Sequence, residues 1–273
     1  MTSKIRFWKI LSDAFATYRV IFLPLTLFML LYVMVQGFGS IFTVNEYPWM
    51  SDSVRAMIKI GSLVLSLFCY IIALRVTSQA TDAQPLDTKE AITFARKKFL
   101  PYIGMSLYTT WYILKWAIIP LFLAFILLNQ VVVPAFVGEG LLATLIWLAQ
   151  QVTLNITNAA FAVILAAAII LMIIRAIRAV FAPYAFVQDE KGMKESVETS
   201  IALTKNHWWI TFGCVFLMNF LANSIAAHLI NRIFETFLGT QGSAIEVTYM
   251  ITRALAGGII MVFTAYLYRA MKK

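Results

Sequence analysis

Residues 152–180 read VTLNITNAAFAVILAAAIILMIIRAIRAV, and no charged side chain interrupts them before Arg175. A helix needs roughly 20 mostly apolar residues to cross the hydrocarbon core of a bilayer. This stretch exceeds that length, so it predicts a membrane-spanning helix.

Comparable stretches flank it at 20–42, 57–76, 102–128, 209–230 and 246–268. Lys115 interrupts the third. The chain as a whole is 61% hydrophobic and only 13% charged, with a mean hydropathy of +0.82. A soluble domain carries about a quarter charged residues, and one soluble core cannot bury this much apolar surface. Trp and Tyr, numbering 7 and 11 here, anchor at the headgroup level of a bilayer. The fold class expected is therefore an all-α membrane protein with six transmembrane helices, residues 1–273 forming a single polytopic domain. The stretch 131–151 is apolar but broken by Pro134 and by Gly138-Glu139-Gly140. It reads as a loop plus a short helix at the outer surface, or as a re-entrant segment. Lys4, Arg6 and Lys9 precede the first span without a clean small-x-small cleavage site, which predicts an uncleaved first span.

Charge gives the direction. Of the 22 Lys and Arg, 17 fall on one side of the six spans. Arg55, Lys59, Arg232 and Arg253 fall on the other, and Lys115 lies within a span. Cytoplasmic loops carry the excess of Lys and Arg, so both termini are expected in the cytoplasm. The net charge of +9 does not imply nucleic-acid binding, because its residues are spread over several membrane-flanking loops rather than gathered on one soluble module.

The basic segments share a design. Residues 86–99 open with Asp87 as N-cap and Glu90 three positions on, a capping box. Residues 193–208 place Met193, Val197, Ile201 and Thr204 on one helical face. Residues 3–19 are also amphipathic and basic. Each leads into a span, so cytoplasmic amphipathic interfacial helices are expected. Phe99 and Trp208 each precede a glycine by five positions, Gly104 and Gly213. Three helical-hairpin repeats would produce this layout; so would any even-numbered bundle that obeys the charge rule.

Lys115 is the most informative single residue. It lies 13 residues past Tyr102, about 20 Å into its span. A charge there is costly, by at least ~2.5 kcal/mol. Asn158, Asn219 and Asn223 are its expected polar neighbours. The functional reading is a substrate or lipid-headgroup contact; the alternative is a packed aliphatic stem whose amine snorkels. Gln151, Asn155 and Asn158 lie on one face of the fourth span and lead into Ala159, Ala162 and Ala166. Such a polar then small stripe suits close helix packing more than permeation. Asn155-Ile156-Thr157 is also a glycosylation sequon, which matters only in a eukaryotic secretory protein. Gly257-Gly258 reads as a close-packing site. His207 and His228 stand alone without a second ligand at metal-binding spacing. Cys69 and Cys214 fall in apolar spans and read as small buried hydrophobes. No zincin, P-loop, nucleophile-elbow or dinucleotide fingerprint occurs. No catalytic residue, cofactor or metal is expected.

Residues 182–204 carry a more particular signal: Ala182-Pro183, then Val187-Gln188-Asp189, Gly192, Ser196, Ser200 and Leu203-Thr204. Pro183 is expected to stop the preceding helix. Gln188-Asp189 and Gly192 are expected to form a turn, and Ser196, Ser200 and Thr204 a weakly polar stripe. This stretch resembles the YciC-type family of uncharacterised bacterial inner-membrane proteins, which has these residues at this spacing. It also resembles the related membrane domain of some glycerophosphodiester phosphodiesterases. Lys194, Glu195 and Glu198 depart from the family's pattern. The resemblance implies a bacterial cytoplasmic membrane location and a six-span fold, and it brings no catalytic residues.

The expected function is non-enzymatic: a contribution to envelope or lipid homeostasis through anionic membrane lipids or a protein partner, a second copy of this chain included. The rival is a small-molecule or lipid transporter with a site around Lys115.

Overall fold

The computed structural model describes the backbone of residues 7–41, 50–123, 141–219 and 243–272, and the side chains of 7–36, 50–123, 159–218 and 250–272. Among the described residues all regular structure is helical. The helices are α1 (Phe7–Ile41), α2 (Asp52–Thr81), α3 (Thr88–Leu114), α4 (Leu141–Ala179), α5 (Ala182–Gln188), α6 (Met193–Lys205), α7 (Trp208–Asn219) and α8 (Ser243–Lys272). Four helical stretches are long and apolar enough to cross a membrane: Phe7–Gln36, Asp52–Thr81, Ala159–Gln188 and Met250–Lys272. They contain most of the expected first, second, fourth and sixth spans. The expected third and fifth spans both run into residues outside those described, and the described part of the fifth is the short apolar helix Trp208–Met218.

The chain forms two compact units. One joins Met1–Met105 to Phe181–Lys273, and the other is Ser106–Val180. In the first unit α1 packs along both α2 and α8. Its buried seam is Ile10, Ala14, Tyr18, Ile21, Leu25, Met29 and Val33, the three-or-four spacing of one helical stripe. Gly257 and Gly258 let α8 approach that stripe. A Cβ at 258 would stand 2.9 Å from Tyr18 Cε2, and one at 257 would stand 2.6 Å from Met29 Cε. The close-packing role expected for this pair is thus what the structure shows. α5 and α6 fold onto this unit, with Phe181, Phe186 and Val187 fully buried.

Several expectations are corrected. The basic segments at 3–19 and 86–99 are not separate interfacial helices where described: α1 and α3 run unbroken from basic segment into span. No residue at either junction caps a helix, and a proline in a span is tolerated (Pro24 in α1, Pro101 in α3). Only α6 stands apart, ending at Lys205 before α7 begins at Trp208. Its buried face is Ser196, Val197, Ser200 and Thr204, turned from the expected one, and Met193 is exposed. Residues 141–151 belong to α4, while 131–140 lie outside the described residues. At 39 residues, α4 is about 58 Å long, well beyond a hydrocarbon core. The third span breaks at a turn over 115–117 and resumes at 118–123. The repeat also lacks local support: a side chain at Gly104 would collide with Met193, whereas Gly213 has no described atom near its Cβ position.

Candidate functional site

The motif at 182–204 takes part in a polar cluster of the first unit. α5 starts at Ala182 with Pro183 in its first turn. A proline there has no N–H to leave unpaired. Val187 and Gln188 close the helix, so Gln188 is helical rather than part of the turn. The turn is Asp189 to Gly192, and its left-handed position is Glu190 at φ 50°. Gly192 is the extended N-cap of α6, whose carbonyl accepts from the Ser196 N–H at 2.9 Å and the Ser196 hydroxyl at 2.8 Å. Ser200 Oγ accepts the Phe181 N–H at 3.0 Å, and Thr204 donates to the Ser200 carbonyl at 2.9 Å. Each buried hydroxyl of the stripe therefore has a partner, as burial demands. Leu203 is half-buried beside it.

Three distant segments meet at this turn. Asp189 accepts from Tyr268 at 2.5 Å and from Lys272 at 2.8 Å, both on α8. Gln188 donates to Thr81 at the end of α2 at 3.5 Å. Arg269 pairs with Asp82 and also donates to the Thr81 carbonyl. A cation there complements the negative end of the α2 dipole. Arg75 holds both Glu90 oxygens, with Nε at 3.2 Å from each and one terminal nitrogen at 2.8 Å. It also reaches the Val187 carbonyl at 3.4 Å and Glu190 at 3.5 Å, and lies 4.4 Å above the Phe94 ring. The capping box forms only by half. Asp87 caps the Lys89 and Glu90 N–H groups, at 2.9 and 3.1 Å. Glu90 does not return to the Asp87 N–H, which goes to Gln79 at 3.2 Å. A bidentate pair with the Arg75 cation outcompetes a single bond to a backbone N–H.

In the sequence Arg75, Gln79, Tyr268 and Arg269 lie at or just past the ends of apolar stretches, and nothing there marks them as partners. Their partnership depends on which span ends meet, and spacing along the chain does not carry that.

Lys115 sits elsewhere, in the second unit. It is exposed at the 115–117 turn, with Nζ 5.5 Å from the Tyr112 ring centroid and 6.0 Å from that of Trp116. Arg175 stands 5.2 Å from each of the same centroids and donates to the Tyr112 hydroxyl at 2.9 Å. The residue expected at mid-span and the one expected at the basic edge thus share one aromatic pair. Lys115 therefore has a second cation, Arg175, beside the same rings. Asn155 and Asn158 lie on α4 and Asn219 ends α7, all with side chains outside those described; Asn223 lies wholly outside the described residues. Cys69 and Cys214 are buried. Among the described residues no three His, Cys, Asp or Glu side chains are placed to share a metal ion.

No family model, curated protein or solved structure matches this chain.

Proposed function

We propose that the chain is a six-span protein of the bacterial cytoplasmic membrane, with both termini in the cytoplasm, that acts by binding anionic lipid at its basic face. The span count draws on parity. The polar cluster joins residues 82–90, 187–190 and 269–272 within one unit. Charged loops that pair directly lie on one side of a bilayer, because a charge inside it is so costly. An even number of crossings must then separate 90 from 187, and likewise 190 from 269. α4 and α8 supply one crossing each. The expected third and fifth spans supply the others. The 17-to-4 distribution of Lys and Arg favours the cytoplasm for that side. The YciC-type resemblance of 182–204 favours the bacterial inner membrane.

One observation carries the lipid reading. The carboxylates of the cluster are taken up by Arg75, Arg269 and Lys272. Lys89, Arg96 and Lys97 remain exposed on α3, with no ion pair among the described residues. Each such cation near an anionic surface contributes about 1 kcal/mol. Envelope or lipid homeostasis without catalysis is the role that fits this arrangement, and a protein partner could use the same face.

The test is lipid composition. The full chain, extracted in polymer-bounded native discs, should carry more phosphatidylglycerol than the bulk membrane. K89Q/R96Q/K97Q should lower that enrichment. Equal composition for the unsubstituted protein and bulk membrane would sink the reading. The helix break at Lys115 is the observation that favours the rival transporter, since transport sites gather at broken helices. Substrate accumulation in vesicles, lost in K115Q, would promote it.

A further inference from the structure

The geometry points to a site for one anionic phospholipid on the second unit, its phosphate held by Lys115 and Arg175 beside Tyr112, its acyl chains along the apolar surface around them. The site begins with the helix break. Lys115 N–H still bonds the Trp111 carbonyl at 2.9 Å, but Ala117 bonds Leu114 in a tighter turn at 2.8 Å. Lys115 therefore leaves the helix at its last turn, exposed.

Both cations stand over the Tyr112 ring, at 5.5 and 5.2 Å, so their centres are no more than 10.7 Å apart. Two cations beside one aromatic pair set up a positive field that attracts an anion. Residues 106–180 hold Lys115, Arg175 and Arg178 against one acid, Glu139, which lies outside the described residues. Among the described residues neither Lys115 nor Arg175 forms an ion pair. The Tyr112 oxygen accepts from Arg175, which leaves its own proton to donate to a phosphate oxygen.

The surroundings choose the source of that phosphate. Trp111, Trp116, Ile118 and Ile119 are all exposed around the break. A free inorganic anion would leave this apolar surface unused. A phospholipid satisfies both parts, its phosphate on the cations and its chains along these apolar side chains. The inference rests on the membrane reading above but not on the basic face at 89–97, which shares no residue with it.

The test uses the full chain in detergent, with native mass spectrometry after addition of phosphatidylglycerol, phosphatidylcholine or inorganic phosphate. One phosphatidylglycerol should stay bound in preference to phosphatidylcholine, and millimolar phosphate should not displace it. K115Q should weaken retention about fivefold, the effect of one lost charge near a lipid anion. R175Q should weaken it at least as much, and K115R should retain it. R96Q/K97Q should leave this lipid in place even if it abolishes enrichment in native discs. Equal retention of the two lipids, displacement by phosphate, or unchanged retention in K115Q would each overturn the assignment. Lys115 is exposed at a turn, so K115Q decides alone should R175Q fail to fold.

Discussion

The Tyr268 hydroxyl donates to Asp189 Oδ2 across 2.5 Å, joining residues 79 positions apart. Tyr268 is only 1% exposed, so its hydroxyl has no ready access to water. Asp189→Ala should strand it and release Lys272, lowering stability by about 1–3 kcal/mol. Tyr268→Phe removes the stranded group, so the double variant should recover part of that loss. Melting temperatures of the detergent-solubilised single and double variants would show the coupling, and strict additivity would contradict the contact.

Glu90 and Glu190 both face Arg75, but unequally. Glu90 is bidentate and also accepts from Gln79 at 2.6 Å, whereas Glu190 makes one 3.5 Å pair and is half exposed. Glu90→Ala should destabilise by about 2 kcal/mol and Glu190→Ala by less than about 1 kcal/mol. Equal effects on the melting temperature would mean that Arg75 is not anchored on α3.

Ala83 ends the turn after α2 at φ 53°. The Gln84 N–H bonds the Gln79 carbonyl at 2.9 Å and the Ala83 N–H bonds Ala80 at 3.2 Å, the paired closure of a Schellman cap. Glycine is the usual occupant of that left-handed position, because a Cβ costs about 1–2 kcal/mol there. Ala83→Gly should therefore raise stability by about 1 kcal/mol, against the usual direction of a glycine substitution. A drop in melting temperature would refute the left-handed cap.

The α1–α8 contact has its own test. Gly258→Val would push branched carbons into Tyr18 and Leu25, costing about 1–3 kcal/mol by overpacking. The measurement is the melting temperature of the solubilised variant. A neutral result would mean that the two helices lie further apart.

Much of this was readable in the chain. Apolar length alone marked the four long helices. The glycine pair marked α8 as a close-packing helix without saying that α1 is its partner. Asp87 capped α3 as its position before Glu90 implies. What failed had one physical cause: local patterns cannot say which distant partner competes. Glu90 had a cap to make, but Arg75 arrives from α2. The face of α6 looked apolar through Met193 and Ile201, yet the buried face runs through Ser196 and Ser200. Small hydroxyls fit where α5 comes close. Lys115 looked isolated because Arg175 lies 60 positions away.

In the proposed topology, 82–90, 187–190 and 269–272 share one side of a six-span bundle. Reporter fusions near residues 85, 140 and 190 and after Lys273 test it directly. Six spans put 85, 190 and 273 in the cytoplasm and 140 outside. A chain crossing only through the four long helices would put 140 in the cytoplasm and 190 outside. The polar cluster could not then form in a membrane.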